Sequence, residues 1–535
     1  MEPLFDPRLP YPSVRHPVLA DAMVATSQPL AARAGLKMLE LGGNAIDAAV
    51  AAAMTLPIVE PTSNGLGSDA FALVWDGTRL QGLNASGRSP KALSAERFEG
   101  LEAVPRMGWD PVTVPGAVSA WIALWRRYGS LPLETLAEPA VHYAEHGFRV
   151  GPVTARGWAR AAEVLGDQPG FAAAFLVDGR APLAGERFRL AAAAASLQRI
   201  AQSEGEAFYR GDLAERIAAF ARETGGLLDE TDLAEHEPLW VDPIARRFGG
   251  ADVHELPPNG QGIAALLTLG ILEHSNLADL EPDSADALHL EIEAMKLAFA
   301  DLYRHVADPD CMDVTAADLL DDGYLAERAR QLDPKRAAAP LPGVPGKGGT
   351  VYLSTADATG RMVSFIQSNY MGFGSGVVVP GTGISLQNRG AGFVLEPGHP
   401  NRVAGGKRPF HTIIPGFVTR DGEPLASFGV MGGAMQAQGH LQVMLRTLLY
   451  GQNPQAAIDA PRWQVLQDGS TIAIERGYDA SVYHDLEERG HVVLRDPRVA
   501  TGDRFFGGGQ AIWRLRGGGY LGASDPRREG QAVGL

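Results

Sequence analysis

The chain has 535 residues, 45 % of them hydrophobic and 21 % charged, with 63 acidic against 47 basic side chains and a formal net charge of −16. That length buries a sizeable core, in one large domain or several small ones, and the acidic balance argues against a nucleic-acid partner, which needs a basic face. A single cysteine, Cys311, excludes an internal disulfide framework.

The first seventeen residues, "MEPLFDPRLPYPSVRHP", are broken by prolines and arginines and lack the apolar stretch of a signal peptide. The run "DAAVAAAMTLPIVEP" is too short and too rich in alanine to span a bilayer. A cytoplasmic protein without a membrane partner is the expectation. Next, "SQPLAARAGLKMLELGGN" predicts a helix capped by Ser27, with Pro29 in its first turn and Leu30, Ala34, Met38 and Leu41 on one face. A second, Ala-rich helix follows in "AIDAAVAAAMTL", its small side chains suited to close packing on a sheet. The segment "FALVWDGTRLQGLNAS" predicts a hairpin turning at Asp76-Gly77.

From about residue 115 to 330 the pattern is mostly helical. Residues 334–349, "PKRAAAPLPGVPGKGG", hold four prolines and no periodicity, and predict a linker. After it the texture turns to strands, in "TVYLSTAD", "MVSFIQSNY", "HTIIPGFVTR", "LASFGVMGG", "STIAIERG" and "FFGGGQAIWRLRGG". Helices in the middle and strands in the last third predict layered sheets covered by helices, with both segments in one core.

Two glycine-rich stretches carry less than they suggest. "GVPGKGGT" has only two residues before its Gly-Lys pair, and Gly348 follows the lysine, so it is not a phosphate loop. "GFGSGVVVPGTG" does not make a nucleophile elbow. The thirteen histidines show no metal-ligand spacing, so no metal is expected. Thr350, directly after the linker, reads on its own as the first residue of a strand.

The ordered set of segments changes that reading. "MVATSQPLAARAGLKMLELGGNAIDAAVAAAMTLPIVEPTSNGLGSDAFALVW", "VPGAVSAWIALWRRYGSLP", "LPPNGQG", "EAMKLAFADLYRHVADP", "TVYLSTADATGRMVSFIQSNYMGFGSGVVVPGTGISLQNRG", "KRPFHTIIP", "GVMGGAMQ" and "GASDPR" together resemble the γ-glutamyltransferase family of N-terminal-nucleophile hydrolases, over roughly residues 20 to 530. The resemblance implies a four-layer αββα sandwich built from both fragments of a self-cleaved precursor. It places the cut between Gly349 and Thr350, giving a large fragment 1–349 and a small fragment 350–535, with linker 334–349 free to move away afterwards. The two fragments form a heterodimer, and by analogy a dimer of heterodimers. Thr350 becomes nucleophile and base at once, Gly432 and Gly433 form the oxyanion hole, and Ser368 bonds the terminal amine. No cofactor is implied.

The family's glutamyl-binding residues carry over poorly. Its arginine for the substrate α-carboxylate falls at Ser86, with Arg88 the nearest arginine, and its acidic residue for the α-amino group falls at Gly392. An asparagine becomes Tyr370, a glutamine becomes Arg389, and paired serines become His411-Thr412. The segment before "GKRP" is too short for the family's lid loop. The resemblance still implies cleavage of γ-glutamyl amides such as glutathione, by hydrolysis or transpeptidation. Alternatives are a small carboxylate-bearing amide such as oxamate, recognised through Arg88 or Arg389, a cephalosporin-acylase-like activity, and an uncleaved inactive scaffold.

Overall fold

The computed structural model describes residues 15–338, 349–466, 468–496 and 505–535. Two seven-stranded antiparallel sheets carry the fold. The first runs Gln531–Gly534, Met23–Thr26, Gly349–Ala356, Met362–Tyr370, Asp69–Trp75, Leu80–Asn84 and Leu239–Val241. The second runs Val18–Ala20, Tyr520–Ser524, Gly508–Arg514, Glu423–Met431, Gly416–Arg420, Ala251–Glu255 and Ile244–Phe248. Each sheet takes strands from both sides of residue 349, so a cut there leaves the fragments interleaved.

Side-chain alternation sorts the strands into layers. Phe71, Leu73, Tyr352, Met362 and Ile366 of the first sheet meet Phe417, Met431 and Ile512 of the second. Their neighbours Ala70, Ala72, Val351, Leu353, Val363 and Phe365 face the other way, into a core with the helix Ala45–Val59. Every residue of that helix is buried, which is why its sequence is apolar all round. Helices Gly262–Glu273, Ala285–His305 and Met435–Met444 cover the far face of the second sheet. The result is helix, sheet, sheet, helix, as expected. Among the described residues no helix is long and apolar enough to cross a membrane.

Several local expectations need correction. The helix Pro29–Glu40 is capped by Gln28, whose Oε1 accepts from the N–H groups of Leu30 and Ala31, while Ser27 donates to Glu60 at 2.6 Å. Leu41 lies past the last turn and is 51 % exposed. The hairpin at Asp76-Gly77 forms, between Asp69–Trp75 and Leu80–Asn84. In the helical middle, the strands Leu239–Val241, Ile244–Phe248 and Ala251–Glu255 went unforeseen. The root of the linker is not loose. Ala337 N–H donates to Arg489 O at 2.7 Å, and Ala338 N–H to Glu293 at 2.7 Å; residues 339–348 of the linker lie outside the described residues.

The "GASDPR" segment fastens the second sheet. Asp525 accepts from Arg462 at 2.8 Å, Gly509 N–H at 2.7 Å and Arg527 N–H at 2.8 Å. Burial works against its charge, but Arg462, Arg527 and the two backbone donors outweigh it and hold the carboxyl well below the usual carboxylate range. Its contribution is therefore complete above the unfolded value near pH 4 and fades as pH falls further. Asp525→Asn leaves Arg462 buried without its counter-charge and is expected to cost about 3–5 kcal/mol in urea unfolding at pH 7.

Candidate active site

Thr350 is buried, on a strand whose even-numbered side chains enter the space between the sheets. The register with Met362–Tyr370 slips here. Gly349 pairs with Tyr370 but Val351 pairs with Gln367, so Ser368 and Asn369 bulge opposite Thr350. Such a bulge re-aims side chains beside a site. Thr350 Oγ1 donates to Ser368 Oγ at 3.2 Å and accepts from Gln436 Nε2 at 3.3 Å. Ser368 Oγ also accepts from Tyr370 N–H at 2.7 Å, and Gln436 Oε1 from Ile414 N–H at 3.1 Å. Both contacts to the threonine oxygen are thus themselves anchored.

Gln436 opens the helix Met435–Met444, just after Gly432 and Gly433. Both glycines have positive φ, +131° and +65°, a region L side chains rarely enter. A Cβ on Gly432 would meet Gly507 Cα at 3.0 Å. Gln261 Nε2 holds this turn from behind, donating to Gly433 O at 2.8 Å and to Thr412 O.

Arg389 is fully buried. Nη1 donates to Thr412 Oγ1 at 2.8 Å, and the guanidinium carbon lies 4.1 Å from the centre of the Tyr370 ring. Burial lowers its pKa to about 10, against the pull of Tyr370 and Asp69. Tyr370 takes φ +77°, an uncommon value for a bulky residue, at the strand end that faces Gly349.

His411 and Asp69 are a buried pair, Nε2 to Oδ2 at 3.1 Å. Burial keeps His411 well below its ordinary value, so the ring is neutral. Its Nδ1 accepts from Ile413 N–H at 3.4 Å, which leaves Nε2 as the donor to Asp69. The other oxygen of Asp69 accepts from Gly87 and Gly116 N–H at 3.1 and 3.2 Å. Burial nevertheless pushes the Asp69 carboxyl up to about 7. Only glycine lets both loops in: a Cβ would come within 1.6 Å of Val114 O at Gly87 and 1.5 Å of Ala85 O at Gly116.

Of the residues expected at the site, Thr350, Ser368, Tyr370, Arg389 and Thr412 form one hydrogen-bonded and stacked cluster, and His411 joins it through Asp69, the strand partner of Ser368. Arg88 is engaged elsewhere. Its guanidinium, on a side chain 42 % exposed, pairs with Asp308 at 3.1 Å and donates to Gly406 O. Sequence reasoning missed Asp69, Gln261 and Gln436, although all three lie inside quoted segments. It also missed a buried group of His289, Glu293 and His491, since His491 is remote in sequence; there the ammonium of Lys296 already meets Glu293 at 2.7 Å.

Two facing antiparallel sheets between helical layers, with a strand threonine set among buried polar groups, are the architecture of N-terminal-nucleophile hydrolases. The model of the gamma-glutamyltranspeptidase family matches residues 31–535, and the chain belongs to that family of enzymes. It is 37 % identical over 520 residues to the glutathione hydrolase-like YwrD proenzyme of Bacillus subtilis, covering 96 % of this chain and 98 % of that one. To the oxamate amidohydrolase proenzyme of Klebsiella pneumoniae it is 36 % identical, covering 97 % and 99 %. The crystal structure of cephalosporin acylase from Bacillus halodurans superposes with a TM-score of 0.93 at 48 % identity, covering 99 % of each chain.

Proposed function

We propose that the chain cuts itself between Gly349 and Thr350 and that the freed Thr350 is the nucleophile of an amide hydrolase. The observation that carries this is the Thr350 hydroxyl held between Ser368 and Gln436, whose backbone N–H donates to Gly433 O of the glycine turn. In the precursor, Oγ1 attacks the Gly349 carbonyl, the peptide C–N bond breaks, and water hydrolyses the ester. The new α-amine has an ordinary pKa of about 7.7–8, so much of it is neutral near pH 7. It takes the Oγ1 proton as the threonine attacks a substrate amide. The acyl C–O bond forms, the C–N bond breaks, and the proton leaves on the departing amine. Water then releases the acid, or a second amine takes the acyl group. Fragments 1–349 and 350–535 remain one heterodimer, because each sheet needs both.

For the acyl group, the glutathione reading rests on similarity to glutathione hydrolase-like enzymes. A small carboxylate-bearing amide is favoured by two specific positions. Ser86 is a serine tied to Asn84 at 2.7 Å, where an arginine would be needed, and a Cβ on Gly392 would lie 2.8 Å from Phe410 O, so no acidic side chain reaches out there. The direct test compares γ-glutamyl- and glutaryl-p-nitroanilide, which differ only by the α-ammonium group. The glutaryl compound is expected to show at least about tenfold higher kcat/KM, the equivalent of roughly 1.4 kcal/mol. Preference for the γ-glutamyl compound returns the glutathione reading.

A further inference from the structure

We infer that Arg389 is the carboxylate-binding group of the acyl pocket, and that the substrates are monoamides of small dicarboxylic acids that carry no α-ammonium. This rests on the proposed Thr350 chemistry only for the end of the substrate that is cut.

Arg389 is a buried cation with no acid in direct contact among the described residues. Among the described residues Arg389 has no ion pair, and its Nε and Nη2 have no acceptor. Nη1 is committed to Thr412. The two free nitrogens share one edge of the guanidinium, the edge that presents two parallel N–H bonds to a carboxylate. Tyr370 lies against one face at 4.1 Å and fixes the plane. A desolvated charge left so is costly unless an anion completes it.

The group is also tied to the residues around Thr350. Tyr370 is the strand partner of Gly349, and its N–H shares Ser368 Oγ with the Thr350 hydroxyl. On the other side, Thr412 O and Gly433 O are held by the same Gln261 amide. Arg389 is therefore linked through one residue to the nucleophile's partner and through two to the glycine turn.

The acids of this region already serve other donors. Both oxygens of Asp69 are taken, by His411, Gly87 and Gly116. Asp308 is held by Arg88 and by Arg408 N–H. Gly392 supplies none. An α-ammonium would enter beside the guanidinium, a like charge, while these carboxylates already hold other donors.

The test uses the purified protein, with malonate, succinate and glutarate as binding probes read by thermal shift and by competition. At least one of them should stabilise the wild type and compete with glutaryl-p-nitroanilide, while L-glutamate binds at least tenfold more weakly. In Arg389→Gln, KM and the inhibition constant should rise at least tenfold with a smaller change in kcat; Arg389→Lys should restore part of the binding. Equal dicarboxylate binding by wild type and Arg389→Gln overturns the inference. So does a wild type that none of the three dicarboxylates stabilises or that hydrolyses the methyl ester of the glutaryl substrate as efficiently as the acid; this comparison decides the matter if Arg389→Gln does not fold. An uncleaved chain that still binds glutarate through Arg389 would refute the proposed function and leave this inference standing.

Discussion

Thr350→Ala is expected to give a single 56.8 kDa chain that stays intact on prolonged incubation and shows no measurable amide hydrolysis, a loss of about 10⁴-fold or more. Under the proposed mechanism the substitution removes the oxygen that attacks the Gly349 carbonyl and, with it, the nucleophile of every later turnover. It should not unfold the protein. The strand keeps its ladders to Met23–Thr26 and Met362–Tyr370, and the lost hydroxyl contacts are worth about 1 kcal/mol each. Thr350→Ser keeps the hydroxyl and is expected to cleave itself, more slowly. A denaturing gel and a thermal melt of the three proteins check all of this together.

Gly432→Ala is expected to lower kcat by about 10²–10³-fold with little change in KM, the loss typical of one misplaced oxyanion donor, about 2.7–4 kcal/mol. At φ +131° an alanine is strained, and its methyl group would sit 3.0 Å from Gly507 Cα. Gly507 has little room to retreat, since its own Cβ position is 2.0 Å from Met431 O. The turn must move instead, and if Gly432 and Gly433 form the oxyanion hole as the family resemblance implies, their N–H groups leave the tetrahedral intermediate. On the same reading those donors serve the attack on Gly349, so self-cleavage is expected to slow as well. Steady-state kinetics on whatever fraction matures, with a time course of fragment appearance, separates the two effects.

What the sequence could reveal depended on how locally each feature is encoded. The helix Ala45–Val59 is buried on all sides and carries an apolar signal broken only by Asp47 and Thr55. The hairpin at Asp76-Gly77 and the strands on either side of "DATG" have their turn residues in place. The strands Ile244–Phe248 and Ala251–Glu255 are short, and one carries two arginines, so neither helical nor strand periodicity stands out. Thr350 stood out because the segments around it resemble a family in order. Asp69 was not, because its meaning is made by loops around Gly87 and Gly116, 18 and 47 residues away. The two arginines diverged for a similar reason. Nothing local tells Arg88, committed to Asp308, from Arg389, buried with an edge unpaired.

The most direct measurement is the intact mass and terminal sequence of the smaller fragment from freshly purified protein. The expected fragment starts at Thr350 and runs to Leu535. A fragment starting at any other residue, or a chain that never separates into two, would contradict the proposed cleavage between Gly349 and Thr350.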